Sequence, residues 1–359
     1  MHPLRWAVVV GAALPLMGAS CATQASTTLA VTGKTLRVYS SVPNTPVGND
    51  VFDAEKLALD KAGPQIGSFT VELRRLYESS TKDITNNARA AIKDNNTIAY
   101  LGEVAAGTSE DGSVEITNQI GLLQVSPTDN ALELTQSTPA VPGAPNTFYP
   151  SKKSFSYTFA RVVPSTAVEA QVQVAEMHKL KVNQLWIEND GSPYGRAIAR
   201  AVQDDATGKV TLAQSATAAD AVFLGARDPV KAAVMLNGLS GKQLFVPSAL
   251  YDPTFASKFS TIHISVPGKV VPSLKLGPNP APQAVFGYIA MKALLTDLHN
   301  QGGNANKLAS VVDGFRSLSG QSSPLGTYSI NQNGDTSLGP AAFAIEHLRG
   351  TKLVAIQAG

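Results

Sequence analysis

Five histidines, one cysteine and the acidic pair Asp204-Asp205 are the first candidates for chemistry. His2, His178, His263, His299 and His347 are too widely spaced for an HExxH zinc pair. Cys21 stands alone, so neither an intrachain disulfide nor a cysteine zinc cluster can form. Asp204-Asp205 falls in a helical pattern, where adjacent residues do not share a face. Gly33-Lys34-Thr35 lacks the earlier glycine of a phosphate-binding Walker loop, and no GxSxG nucleophile elbow occurs. Gly334-Asp335, in SINQNGDTS, reads as a turn; a calcium loop would need an acidic ligand series that is missing. These residues offer no catalytic constellation, no metal site and no cofactor motif. The expectation is a protein that is not an enzyme and takes no cofactor.

Chemistry must then arise from what the elements bring together. The chain has 359 residues, 43% hydrophobic and 16% charged, with a formal net charge of +2. That length suggests about two domains with a substantial core. No block of like charges occurs, which sets aside a nucleic-acid surface. From Leu36 onward, short apolar runs alternate with helical patterns. Strands are expected at 36–40, 69–78, 97–103 and 121–126, with helices at 52–63, 84–94 and 112–119. A Pro/Gly-rich loop over 139–150 interrupts the series. Strands resume at 157–163, 183–190, 219–226, 242–248 and 261–267. Helices are expected between them at 165–180, 194–206, 228–239 and 252–258. Trp186, in the second of these strands, reads as a core residue.

Such alternation means βαβ units and parallel sheets. The expected fold class is α/β, two doubly wound parallel-sheet lobes. Two late helices, over 282–303 and 304–318, and a β-rich tail over 326–356 complete the lobes rather than forming a third. One place breaks the pattern. Between 210–214 and 220–225 the connection is too short for a parallel crossover of roughly ten residues. Either 210–214 is not a neighbouring parallel strand, or the second lobe lacks a helix there.

At the N-terminus one basic residue precedes the apolar run Trp6–Met17, and small residues follow. A helix of this length reaches about 18 Å, short of a bilayer core of roughly 30 Å. Residues 1–20 therefore read as a secretory signal peptide. Met17-Gly18-Ala19-Ser20-Cys21 resembles a bacterial lipobox, with Gly18 where leucine is usual. The resemblance implies that Cys21 is lipidated and becomes the mature N-terminus. Residues 21–35 would be a lipidated tether, flexible over Ala22–Gly33. The protein would sit outside the cytoplasm, anchored to the bacterial cell membrane through Cys21.

Several segments resemble the leucine/isoleucine/valine-binding family of ABC transporter substrate-binding lipoproteins. They are IAYLGEVAAGTS (98–109), ITNQIGLLQVSPTDNALELT (116–135), FARVVPSTAVEAQ (159–171), WIENDGSPYGRAIARAVQD (186–204), AVFGYIAMKALL (284–295) and PLGTYSINQNGDTSLG (324–339). The resemblance implies the type I periplasmic binding fold, its two lobes joined by a three-segment hinge. It assigns 36–160 plus 283–322 to lobe 1, and 161–282 plus 323–359 to lobe 2. It also implies a ligand site between them. One loop would contribute Ala105, Ala106, Gly107 and Thr108, with Thr108 offering a hydroxyl. A second would contribute Ser126, Thr128, Asp129 and Asn130. Tyr194 would form an aromatic wall, and Ala226, Arg227 and Ser248 would complete the site. Ser248 stands where the family carries an acid for the ligand ammonium, with Asp129 as a substitute. Other readings of the same residues stay open: packing for Tyr194, a helix cap for Thr128 and Asp129, a solvated helix start for Arg227.

The implied function is capture of a small polar, amino-acid-like metabolite for an ABC importer, with a membrane permease as partner. The alternative is a ligand sensor, or a degenerate lipoprotein of the same fold that takes no part in transport.

Overall fold

The computed structural model describes residues 29–239, 241–349 and 352–355. The expected signal peptide over 1–20 and the expected lipidation site Cys21 lie outside them.

The fully buried runs Thr97–Leu101 and Leu123–Ser126 mark central strands, apolar enough to be covered on both faces. They belong to a first sheet built from the early part of the chain. Its elements are β1 (Thr35–Pro43), α1 (Pro46–Ala62), β2 (Gln65–Ile66), β3 (Phe69–Glu78), α2 (Thr81–Lys93), β4 (Thr97–Leu101), α3 (Ser113–Asn118), β5 (Leu123–Ser126), α4 (Lys152–Phe155) and β6 (Phe159–Arg161). The strand order is β2-β3-β1-β4-β5-β6, parallel except for the short β2. The helix expected from 52 begins at Pro46. Thr45 caps it by accepting the Gly48 amide at 3.2 Å, and proline suits the first helical position.

The second sheet starts after β6. It comprises α5 (Thr166–Lys179), β7 (Gln184–Asn189), α6 (Pro193–Ala206), β8 (Thr211–Leu212), β9 (Ala221–Gly225), α7 (Pro229–Leu236), β10 (Gln243–Val246), α8 (Pro253–Ala256) and β11 (Ile262–Pro267). The chain then adds α9 (Ala284–Gln301), α10 (Leu308–Phe315) and the hairpin β12 (Gln321–Ser323) with β13 (Gly326–Tyr328). It ends on β14 (Phe343–Arg349) and β15 (Lys352–Ala355), which close the second sheet in antiparallel fashion. The order is β15-β14-β11-β10-β9-β7-β8. The short connection is now explained. β8 and β9 both flank β7 in parallel, and residues between them carry no helix. Trp186 is half-buried rather than core. Edge strand β8 pairs only with Gln184 and Leu185, so Trp186 lies past its end.

Helices α9 and α10 pack on the first sheet, in one core with Val38, Ile98 and Leu123. Gly287 lets α9 approach α1 closely; a Cβ there would lie 2.3 Å from the Val51 carbonyl oxygen. The chain thus passes between the sheets three times, after β6, before α9 and before β14. A second buried cluster joins the halves. Ala131, Leu134 and Tyr149 pack with Val174, Ile198 and Val202 of α5 and α6.

The flexible tether expected over Ala22–Gly33 is corrected at its end. Val31 is buried, its amide donates to Asn306 O at 2.8 Å, and Leu308 N donates to Leu29 O at 3.0 Å. A buried apolar residue and paired main chain tie this stretch to the start of α10. Among the described residues, no helix is long and apolar enough to cross a membrane.

Candidate functional site

Open parallel sheets bind ligands beyond the carboxyl ends of their strands. Here those ends face each other. A cavity of about 640 Å³ lies among residues following β1, β4, β5, β10 and β11. That is within the usual size of a small-molecule site. Of the residues expected from sequence, Ala105, Ala106, Thr128 and Ser248 line it. Gly107, Thr108, Ser126, Asp129, Asn130, Tyr194, Ala226 and Arg227 do not.

The reasons lie in their hydrogen bonds. Asp129 is fully buried and accepts three amides: Gly107 at 2.7 Å, Ser109 at 2.8 Å and Ala131 at 3.1 Å. It fastens the loop after β4 to the loop after β5. Its carboxylate is not available as the substitute ammonium partner. Ser126 donates to Glu103 O at 2.6 Å and accepts the Asp129 amide at 2.7 Å. Thr108 donates to Ala105 O at 2.6 Å, and Thr128 donates to Val104 O. All three hydroxyls are spent on main-chain carbonyls. Asn130 donates to Glu169, and Ala226 is buried in the second sheet's core.

Tyr194 is fully buried against Gly107. That glycine has φ +77°, and a Cβ on it would lie 2.7 Å from the tyrosine. Only glycine allows this approach. Arg227 is not a solvated helix start. Its guanidinium grips Asp111 from across the cleft at 2.7 and 2.9 Å, and also donates to Gly107 O. Burial opposes the Arg227 charge, but Asp111, Glu110 and Asp129 together raise the pKa.

No protein-family model matches the chain, and no curated protein matches it. Solved structures do. The leucine-binding protein LivK of Thermotoga maritima is similar with a TM-score of 0.70 and 15% identity, over 90% of this chain and 98% of that one. An ABC transporter substrate-binding protein of Desulfitobacterium hafniense in complex with Leu has the same score and identity, over 90% and 100%. A solute-binding protein of Rhodopseudomonas palustris in complex with benzoate follows, with a TM-score of 0.65 and 16% identity over 90% and 95%. The fold is that of the type I periplasmic binding proteins. The cavity lies between this fold's two sheets.

Sequence reasoning missed Glu169, on α5. It is fully buried and accepts the Ser248 amide at 2.6 Å and the Ser248 hydroxyl at 3.2 Å. Ser265 and Asn130 donate to it as well. Burial raises its pKa, and these four donors pull it back. Glu169 thus joins both halves, but its lone pairs are spent within the protein. Also missed were Asp50, Tyr251, Asp252 and Gln283, which line the cavity. None lies in a quoted motif, so nothing in the sequence singled them out. Glu110 and Glu133 are buried near Asp129; burial raises the pKa of both, helped at Glu110 by the Glu133 charge and at Glu133 by the Asp129 charge. Among the described residues no group of acids, histidines or cysteines could hold a metal ion.

Proposed function

We propose that this protein captures a small solute of about amino-acid size in the interlobe cavity and presents it to the permease of an ABC importer. The observation that carries this is the cavity itself, placed where the carboxyl ends of two parallel sheets converge. Three chain passages between the sheets suit lobes that close on a ligand as bodies. The lobes would be 36–160 with 283–322, and 161–282 with 323–359. The relatives by fold support the reading, since those with bound Leu and benzoate are solute-binding proteins of transporters. The protein would work outside the cytoplasm, held to the cell membrane by lipid on Cys21.

A thermal-shift screen of small metabolites tests capture. A ligand at one hundred times its Kd should add about 2.7 kcal/mol. A stabilising compound that no longer acts on Ala249→Trp, which fills the cavity, supports the reading. No stabilising compound of any class would refute it. Metabolic labelling with a fatty acid tests the anchor; wild type should be labelled and Cys21→Ser should not.

A further inference from the structure

The chemistry of the cavity wall narrows the solute, given that the cleft binds one. An amino acid needs donors for its carboxylate and acceptors for its ammonium. Neither end is served here in the expected way. The hydroxyls of Thr108, Ser126 and Thr128 donate to main-chain carbonyls. Among the described residues the cavity is lined by no lysine, arginine or histidine. A carboxylate entering it would be stripped of water with no cation to meet it, a costly transfer.

Acceptors, by contrast, are in surplus. Asp50 lines the cavity and uses one oxygen, Oδ2, on the Ala281 amide at 2.7 Å. Asp252 lines the opposite wall and spends Oδ1 on the Thr254 amide at 2.6 Å. The second oxygen of each accepts no hydrogen bond from the described residues. Gln283 is 5% exposed, lines the same cavity, and its amide oxygen has no partner. Such an orphaned acceptor calls for a donor supplied from outside the protein. Thr45, Thr254 and Asn279 add uncharged polar groups, and the rest of the wall is mostly apolar. Five prolines, Pro43, Pro46, Pro253, Pro267 and Pro282, contribute to it, with Ala105, Ala106, Ala249 and Ala281. Tyr251 turns its hydroxyl to Glu346 at 3.0 Å and leaves its ring to the cavity.

We infer that the cavity takes a small, predominantly apolar amine, not an amino acid or an organic acid. The ammonium donates to Gln283 Oε1 and lies in the field of Asp50 and Asp252, while the apolar body rests on the proline and alanine wall.

The test uses matched sets on one carbon frame: 3-methylbutylamine, 4-methylpentanamide, 4-methylpentanoate and leucine, with the corresponding phenyl set beside them. Calorimetric titration should rank the amine first, the neutral amide weaker, and the acid and amino acid without measurable binding. Asp50→Asn should lower amine affinity about tenfold and leave the amide unchanged. Ala249→Trp should abolish binding of both. Binding of leucine or of an acid as tight as the amine's, lost in Ala249→Trp, overturns the amine assignment and leaves solute capture standing. An amine that binds no more weakly to Asp50→Asn also overturns the assignment. No binding by any of these compounds, together with an empty metabolite screen, overturns both.

Discussion

Arg227 is placed to govern how readily the two halves separate. It follows β9 in the second sheet, whereas Asp111 and Gly107 follow β4 in the first. The two hydrogen bonds to Asp111, at 2.7 and 2.9 Å, form a bidentate fork, and Glu110 lies 3.7 Å away. The side chains are 24% and 17% exposed, so solvent screens the pair only partly. Arg227→Met keeps most of the packing and removes the fork, the bond to Gly107 O and the charge beside Glu110. Charge-assisted bonds of this kind contribute about 1.5–3 kcal/mol each but do not add, so a net loss of about 2–3 kcal/mol is reasonable. That loss falls on the closed arrangement and not on either half alone. It should shift the closed-to-open ratio about 30- to 150-fold. Hydrogen exchange followed by mass spectrometry should show faster exchange at 105–111 and 226–230, with the centres of both sheets still protected. A double-mutant cycle with Asp111→Asn should return a coupling of about 1–2 kcal/mol, smaller in high salt. Unchanged exchange at both segments, with a coupling below about 0.5 kcal/mol, would refute a latch between the halves.

Three further outcomes follow from buried charges. Asp129→Asn sets an NH2 group against an amide that Asp129 now accepts. It should cost about 1–3 kcal/mol in urea unfolding, where a mere ligand contact would leave stability unchanged. Asp335 pairs at 2.9 Å with Arg161, which is wholly buried, so Asp335→Ala should cost about 3–5 kcal/mol by stranding that guanidinium. Burial lifts Glu55 to about 8 and Asp297 to about 7, each above its unfolded value, and lowers His263 to about 4. The two acids hold protons in the folded state that the unfolded chain has released, so their contribution falls as pH rises through these values. The histidine acts oppositely, but only below about pH 6.5. Tm should therefore fall between pH 6.5 and 8, and Glu55→Gln should flatten that fall; a wild-type Tm that rises across this window contradicts the assignment.

Much of the fold was legible because its strands carry their own signals. FTVELRRLYE, at 69–78, is a strand over those same residues. The start of α1 was missed because the apolar pattern was followed in place of the cap, although Thr45-Pro46 is a strong start signal. The oddly short connection before 220 was correctly singled out, yet sequence could not decide between its two explanations. That needed strand order, which places β7 between β8 and β9. Residues 29–31 look like small, uncharged tether, and only the start of α10 makes them a docked segment.

Of the twelve residues expected from sequence only four line the cavity, and sequence did not show which way their side chains turn. Ala105, Ala106, Thr128 and Ser248 reach the cavity because loops at strand ends must lie there. Whether a hydroxyl faces a ligand or a nearby carbonyl is decided by local geometry that residue type does not encode. Thr108, Ser126 and Thr128 all choose the carbonyl. Glu169 stands 79 residues from Ser248, so no spacing rule could join them. The consequence bears on selectivity. Polar groups spent on one another hold both walls in place, which lowers the ordering cost of binding. They cannot also read the ends of an amino acid. An apolar wall alone separates ligands differing by a methylene only about 10- to 200-fold. Discrimination in this cleft therefore falls to the few acceptors left without partners. Gln283 Oε1 and the free oxygens of Asp50 and Asp252 penalise an anion and favour a donor, and they do so without any of the motif residues.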